Sequence, residues 1–238
     1  MRGVVRTAEL PTALANRSNH YILLPVGGEP RFWTVEELAR SGGVPHDSAL
    51  MTMLTSPIYL TPTQAVSRLG AGVHVGVARR IVALLMERGL LARGMSYASA
   101  YSGIDMFAAA VDAETDGDFS YRFGSEQCAW TRAALLAAWR ERGLESSRCY
   151  TDATCAAAVG AEYVDLWVVT PDCGEYSKSN RVRGEEAQEA SVLAMRTSLA
   201  YVRSSRPRVA IVENVCDVSV VETMTGLLSY CQGSLATS

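Results

Sequence analysis

Tyr97-Ala98-Ser99-Ala100-Tyr101-Ser102-Gly103-Ile104-Asp105 is where the character of the chain changes. A run of small and aromatic residues closes in Ser102-Gly103, the kind of pair that turns a strand into the start of a helix. The same grammar recurs downstream. Strand-like segments fall at 97–102, 121–126, 148–151, 164–170 and 208–213. Helical stretches lie between them, most clearly 128–142 and 185–203, with a last one at about 217–231. Strands separated by helical segments of ten to twenty residues predict βαβ units and a parallel sheet with right-handed crossovers. The expected class is therefore α/β, and in such sheets the ligand lies at the carboxyl ends of the strands.

Upstream the pattern is helical. Residues 1–33 are weakly patterned and read as an N-terminal extension. A short helix is expected over 34–40, with Thr34 as cap and Glu37 three residues on completing a capping box, ended by Gly42-Gly43. A second starts at Thr61-Pro62, a cap followed by proline at the first helical position. Over 75–91, Val77, Ile81, Leu84 and Leu85 stand at helical spacing and predict a buried stripe, ended by Gly89 or Gly94. The expected division is 1–33, then a helical 34–95, then a sheet-forming 96–238.

Composition excludes several classes. With 238 residues, 48% apolar and 20% charged, the chain can bury a core and is not a disordered polymer. No apolar run approaches the ~20 residues of a spanning helix, and Met1 to Arg6 lacks the apolar run of a secretory signal. The cytoplasm is the expected compartment, or the nucleus where the source has one. A net charge of −3 argues against a basic coat protein but leaves room for a basic cleft. The basic residues are nearly all arginine, Lys178 being the one lysine. Six cysteines show neither a CxxC pair nor zinc-like spacing with the three histidines, so no metal site is expected.

Each expected strand ends in a small or acidic group: Ser102-Gly103, Glu126, Asp152, Pro171-Asp172-Cys173 and Glu213-Asn214. A nucleotide needs a small residue at the first turn and an acidic acceptor for its ribose at the second strand's end; Ser102-Gly103 and Glu126 supply both. Asp152 is placed to accept from an adenine amino group. There is no GxGxxG, and an acidic strand end is commonly a helix cap. Cys128, Cys149, Cys155, Cys216 and Cys231 read as small buried hydrophobes. Cys173 differs, because it follows a strand on a polar, glycine-containing turn where a thiolate can be exposed. Glu213, behind the apolar Val209-Ala210-Ile211-Val212, is a carboxyl at the rim of a core, a setting that raises its pKa and suits a proton donor.

Tyr101-Ser102-Gly103-Ile104-Asp105, Glu126-Gln127, Asp152-Ala153, Pro171-Asp172-Cys173 with Tyr176-Ser177, and Glu213-Asn214-Val215, taken in order, resemble the motifs of DNA cytosine-5 methyltransferases. Glu36 to Arg40 with Gly43-Val44-Pro45, and Leu69 to Ala78, resemble that family's last two motifs, here placed first. The resemblance implies a circularly permuted, Rossmann-like sheet that binds S-adenosylmethionine. It makes Cys173 the nucleophile toward C6 of cytosine and Glu213 the group at N3. It places the cofactor against Tyr101, Ser102, Gly103, Ile104, Asp105, Glu126, Gln127, Asp152, Ala153, Gly72 and Val73. DNA would meet Ser177, Lys178, Arg181 and Arg183 on the loop after the nucleophile.

The departures are specific. Asp105 stands for the second glycine of the first motif, Asp172 for the proline before the nucleophile, Gly174 for a glutamine and Ala71 for an asparagine. The arginine-bearing motif and the target-recognition region have no counterpart, which implies a second chain or a further segment that reads the target, and a sheet incomplete at its C-terminal end. Three other readings stand beside this one: the same chemistry on RNA, a catalytically silent cofactor-binding subunit, and an unrelated methyltransferase in which Cys173 is structural.

Overall fold

The computed structural model describes residues 22–23, 31–152, 162–171, 193, 196–197 and 200–214. They form two compact units. One, drawn from residues 1–94, 103–119 and 128–143, is helical; the other, drawn from 95–102, 120–127 and 144–238, carries the sheet. A two-residue antiparallel ladder, β1 (Ile22–Leu23) with β2 (Arg31–Phe32), precedes the helices.

The helical unit holds α1 (Val35–Ser41), α2 (Ala49–Thr55), α3 (Pro62–Ala71), α4 (Val75–Glu87), α5 (Met106–Thr115) and α6 (Ala129–Trp139). Both anticipated caps are present. Thr34 and Glu37 close a reciprocal capping box, and Arg31 grips the same Glu37 carboxylate at 2.5 and 2.8 Å. Arg31, and then the Thr34 N–H, pull that carboxyl down to about 2. Thr61 forms a second box, with Gln64, and Pro62 takes the first helical position.

Two expectations change here. Helix α2, capped by Ser48, was not foreseen; its Leu50, Met51, Met53 and Leu54 are all buried in a segment too short to show two clear periods. In α4 the buried face is Val75, Ala78 and Val82, whereas Val77, Ile81 and Leu84 are 57, 38 and 40% exposed. The helix carries two apolar stripes, and periodicity does not rank them. It packs against α5, whose Ala108, Ala109 and Ala110 are buried, so the face bearing Ala78 permits the closer approach. Arg79 then reaches Glu114 of α5 at 2.7 Å. Helix α4 ends at Glu87, with Gly89 in the left-handed region that glycine adopts freely.

The second unit contains β3 (Met95–Ala100), β4 (Phe119–Ser125), β5 (Cys149–Tyr150), β6 (Leu166–Val169) and β7 (Val209–Val212). Their order is β5-β4-β3-β6-β7. The pairs β3–β6, β4–β5 and β6–β7 run parallel, with Tyr97 opposite Leu166, Gly124 opposite Cys149 and Leu166 opposite Val209. Counted along the chain this is a 3-2-1-4-5 sheet, with α5 and α6 as its first two crossovers, and the fold is α/β and Rossmann-like. Phe123, Trp167 and Tyr201 form an aromatic core, with Trp167 and Tyr201 ring centroids 4.3 Å apart. The expected strand at 97–102 stops at Ala100, because Tyr101 takes a positive φ of 56° and leaves the pleat. Expected helix 128–142 is α6 followed by a 3₁₀ turn at Arg140–Arg142. Of the expected 185–203 helix, residues 193, 196, 197 and 200–203 are described and helical, and the helix continues to 205; the expected 217–231 helix lies outside the described residues.

The amino end of the central pair is tied by one carboxylate. Asp165 accepts from the Ser96 N–H at 2.8 Å and the Ser96 hydroxyl at 2.7 Å, while its own N–H donates back to that hydroxyl at 2.9 Å. Burial raises the carboxyl's pKa, but the Ser96 bonds and the Tyr163 hydroxyl outweigh it, and the net shift is downward. A depressed carboxyl stabilises the fold above its unfolded pKa and loses that contribution as pH falls through the folded value. Asp165→Ala is therefore expected to destabilise by about 1–3 kcal/mol at pH 7. In chemical denaturation, the gap between wild type and variant should narrow below about pH 4.

Candidate functional site

The sheet reverses its direction of winding between β3 and β6, and there the carboxyl ends of the strands open a crevice in this class of fold. The sequence places Tyr101 and Ser102 after β3, Glu126 and Gln127 after β4, Asp152 after β5, Thr170 and Pro171 after β6, and Glu213 and Asn214 after β7. The sheet brings these ends to one edge. Main-chain bonds set their relative heights: Glu126 N–H donates to the Tyr150 carbonyl at 2.9 Å, Thr170 N–H to Ala100 at 3.3 Å, and Glu213 N–H to Val169 at 2.9 Å.

Glu126 is half-buried, and Gln127 and Asp152 are exposed. Tyr101 is close enough to Asp152 to feel its charge: burial first, then that carboxylate, push its phenol up to about 12. Glu213 has its residue surface open to solvent, yet the protein packed around its carboxyl desolvates it and raises its pKa. The direction is the one expected for a proton donor at the rim of a core.

The remaining first-motif residues sit in the helical unit. Ile104 is buried and its carbonyl accepts from the Trp139 indole at 3.2 Å. Gly103 has φ +57°, and Asp105, at φ +55°, caps α5 by accepting from Ala108 N–H at 2.9 Å. The second glycine of the expected motif is thus replaced by a residue that tolerates the left-handed region and caps in addition. Gly72 lies against the first residue of α5: a Cβ there would overlap the Met106 sulfur. Close packing against the Met106 side chain favours a glycine there. Val73, beside it, is half-buried. His74 locks the same corner, its Nε2 donating to Ser41 O at 3.1 Å while its Nδ1 accepts from Gly76 N–H at 3.1 Å.

Ala153, Asp172, Cys173, Ser177, Lys178, Arg181 and Arg183 lie outside the described residues.

Cys128 departs from the reading of an inert buried thiol. It is half-buried at the N-cap of α6. It makes no capping hydrogen bond of regular geometry, and burial raises its pKa. Thr131, the first-turn N–H groups of Trp130 and Thr131, and the Arg68 guanidinium together bring it below the usual thiol value. Arg68 stacks on Trp130 at 4.6 Å. The sequence signal was available, since a cysteine two residues past a strand end and before an alanine-rich helix sits at a helix N-terminus. Cys149 is buried, as read.

No protein-family model matches the chain, and no curated protein does. A solved structure of a candidate RNA methyltransferase from Pyrococcus horikoshii is similar over 73% of this chain and 69% of that one, at 14% identity and a TM-score of 0.40.

Two measurements check these assignments. At position 105, Asn should preserve stability and Gly should lose a few tenths of a kcal/mol, whereas Ala, which lacks both the cap and ease in the left-handed region, should lose about 1–3 kcal/mol in thermal or denaturant unfolding. With iodoacetamide at pH 7, Cys128 should carboxamidomethylate well before Cys149 when sites are mapped by peptide mass, and Arg68→Met should slow Cys128 alone.

Proposed function

We propose that this chain transfers a methyl group from S-adenosylmethionine to C5 of cytosine in DNA. The observation that carries the reading is the order of polar groups along one edge of a 3-2-1-4-5 parallel sheet: a tight turn after the first strand, and carboxylates after the second, third and fifth. The donor set suits the cofactor. Glu126 offers acceptors for vicinal ribose hydroxyls, Asp152 an acceptor for an exocyclic amine, and Tyr101 an aromatic face beside Asp152. In the helical unit, Gly72 against Met106 supports the permuted order, since it brings the segment resembling the last motif beside the start of the first helix.

When bound, S-adenosylmethionine supplies an electrophilic methyl group. The chain's own residues do the rest. The Cys173 thiolate adds to C6 of a cytosine swung out of the duplex, because C6 is unreachable within the stack. As the Cys173 sulfur bonds to C6, Glu213, whose desolvated carboxyl has a raised proton affinity, donates to N3; the C5–C6 electron pair shifts to C4–C5, and the resulting enamine makes C5 nucleophilic toward that methyl group. Once C5 carries the methyl group, a water molecule takes the C5 proton, and the electron pair of that bond reforms C5=C6, expels the Cys173 thiolate and restores the aromatic ring. Asp172, next to the nucleophile, raises the thiol pKa and slows the addition. Ser177, Lys178, Arg181 and Arg183 contact phosphates on the strand carrying the target. A second chain or a further segment reads the target sequence, and the protein works in the cytoplasm or on the nucleoid.

The decisive experiment is covalent trapping on duplex DNA containing 5-fluorocytosine, with S-adenosylmethionine, since fluorine blocks loss from C5. Wild type should give an adduct stable to denaturation, Cys173→Ser none, and Glu213→Gln a rate lower by about a hundredfold or more. An adduct on 5-fluorocytosine RNA alone would move the substrate to RNA. Cofactor binding with no adduct on either would identify a silent subunit, and no cofactor binding would end the methyltransferase reading.

A further inference from the structure

Ser102 lies where a cofactor-contacting hydroxyl is expected, yet its side chain is buried and turned inward. Its Oγ accepts from Ser125 N–H at 3.2 Å and lies 2.6 Å from Ser99 Oγ, which in turn lies 2.7 Å from the Tyr121 hydroxyl. Ser99, Ser102, Ser125 and Tyr121 are all buried. This buried hydroxyl chain runs between β3 and β4 directly beneath the turn that leaves β3.

That turn needs holding. Tyr101 has φ +56°, a conformation that costs a non-glycine residue free energy and persists only where neighbours over-determine it. Its own N–H and carbonyl, and the next N–H, are all engaged. Tyr101 N–H donates to Ser125 Oγ at 3.3 Å, and Tyr101 O accepts from Thr170 Oγ1 at 3.2 Å. The next N–H, that of Ser102, donates to Ser125 O at 2.8 Å. Ser125 therefore clasps Tyr101–Ser102 with its hydroxyl and carbonyl, and Ser102 returns the grip by accepting the Ser125 N–H. Ser99 and Tyr121 fix where Ser102 Oγ stands.

We propose that Ser99, Tyr121 and Ser125 are positioning residues for the cofactor-binding turn, and that Ser102 meets the cofactor through its backbone while its hydroxyl, facing inward, helps to hold the turn. The proposal deepens the methyltransferase reading and, as regards the cofactor, rests on it. The geometry yields an asymmetry that ordinary packing does not. Removing the Tyr121 hydroxyl deletes one atom far along the chain and leaves its ring on Tyr97, centroids 5.0 Å apart, untouched. Its effect should nonetheless surface at Tyr101 and Ser102.

The test uses the full-length chain with Tyr121→Phe, Ser99→Ala and the double variant, read by residue-resolved hydrogen exchange and by equilibrium binding of tritiated S-adenosylmethionine. Tyr121→Phe should speed exchange at the Tyr101, Ser102 and Ser125 amides by about tenfold, leave the β6 and β7 amides as they were, and weaken cofactor binding by about fivefold to tenfold. Because Tyr121 reaches the turn by way of Ser99, the effect of the double variant on exchange at Tyr101 and Ser102 should fall short of the sum of the two single effects. Exchange unchanged at the turn, or raised evenly across the sheet, would overturn the clasp. Local exchange as expected with cofactor affinity unchanged would overturn the positioning role. If wild type binds no cofactor, the methyltransferase reading fails by itself, and the exchange data still decide whether the clasp holds the turn.

Discussion

The pairing of β3 with β6 is the constraint on which the rest of the sheet depends. It joins two strands distant in sequence, and it is the place where the chain stops building toward β5 and starts toward β7. Both ends of the pair are tied by side chains: Ser96 with Asp165 at the amino end, and the Thr170 hydroxyl on the Tyr101 carbonyl at the carboxyl end. A parallel pair receives no help from a hairpin turn, so its register must be set by its own contacts. A slip of one residue would turn Trp167 out of the aromatic core and carry Thr170 away from Tyr101, undoing the turn that opens the crevice.

Much of this was legible because strand ends in an α/β protein are chemically conspicuous. Glu126, Asp152 and Glu213 each close an apolar or mixed run, and a carboxylate in that position has few purely structural uses other than capping. The helical caps were equally plain, since Thr34 with Glu37 and Thr61 with Pro62 are local devices whose partners lie within one turn. What stayed hidden depends on tertiary contact. The choice between the two apolar stripes of α4 is made by the alanine-rich surface of α5, which no window on residues 75–91 contains. The role of Ser102 is set by Ser99, Ser125 and Tyr121, two of them on the next strand. The strand boundary at Ala100 follows from a left-handed tyrosine, which sequence alone gives no reason to expect.

Asp105 shows why a motif departure need not be a defect. The position demands a left-handed backbone just before a helix, and glycine meets that demand at no steric cost but leaves the first-turn N–H groups uncapped. Aspartate accepts some strain and recovers it by accepting from Ala108 N–H. The substitution therefore preserves the shape of the turn while adding a negative group at the head of α5. Gly72 makes the complementary point. In the family the chain resembles, it reads as a residue of the cofactor pocket; in this chain the Met106 side chain packs where its Cβ would stand.

Glu213 brings the two levels together. A carboxylate that merely ended a strand in solvent would keep its ordinary pKa. Its backbone N–H is tied to Val169, so the residue is fixed relative to β6, and the protein packed about its carboxyl raises the proton affinity of a group whose surface still opens outward. Both conditions are needed. Desolvation raises the carboxyl's proton affinity while its surface stays accessible, and few positions other than the carboxyl rim of a sheet provide the two together. The nucleophile resemblance rests on Cys173 and its sequence neighbours, whereas the raised proton affinity of Glu213 follows from where β7 ends.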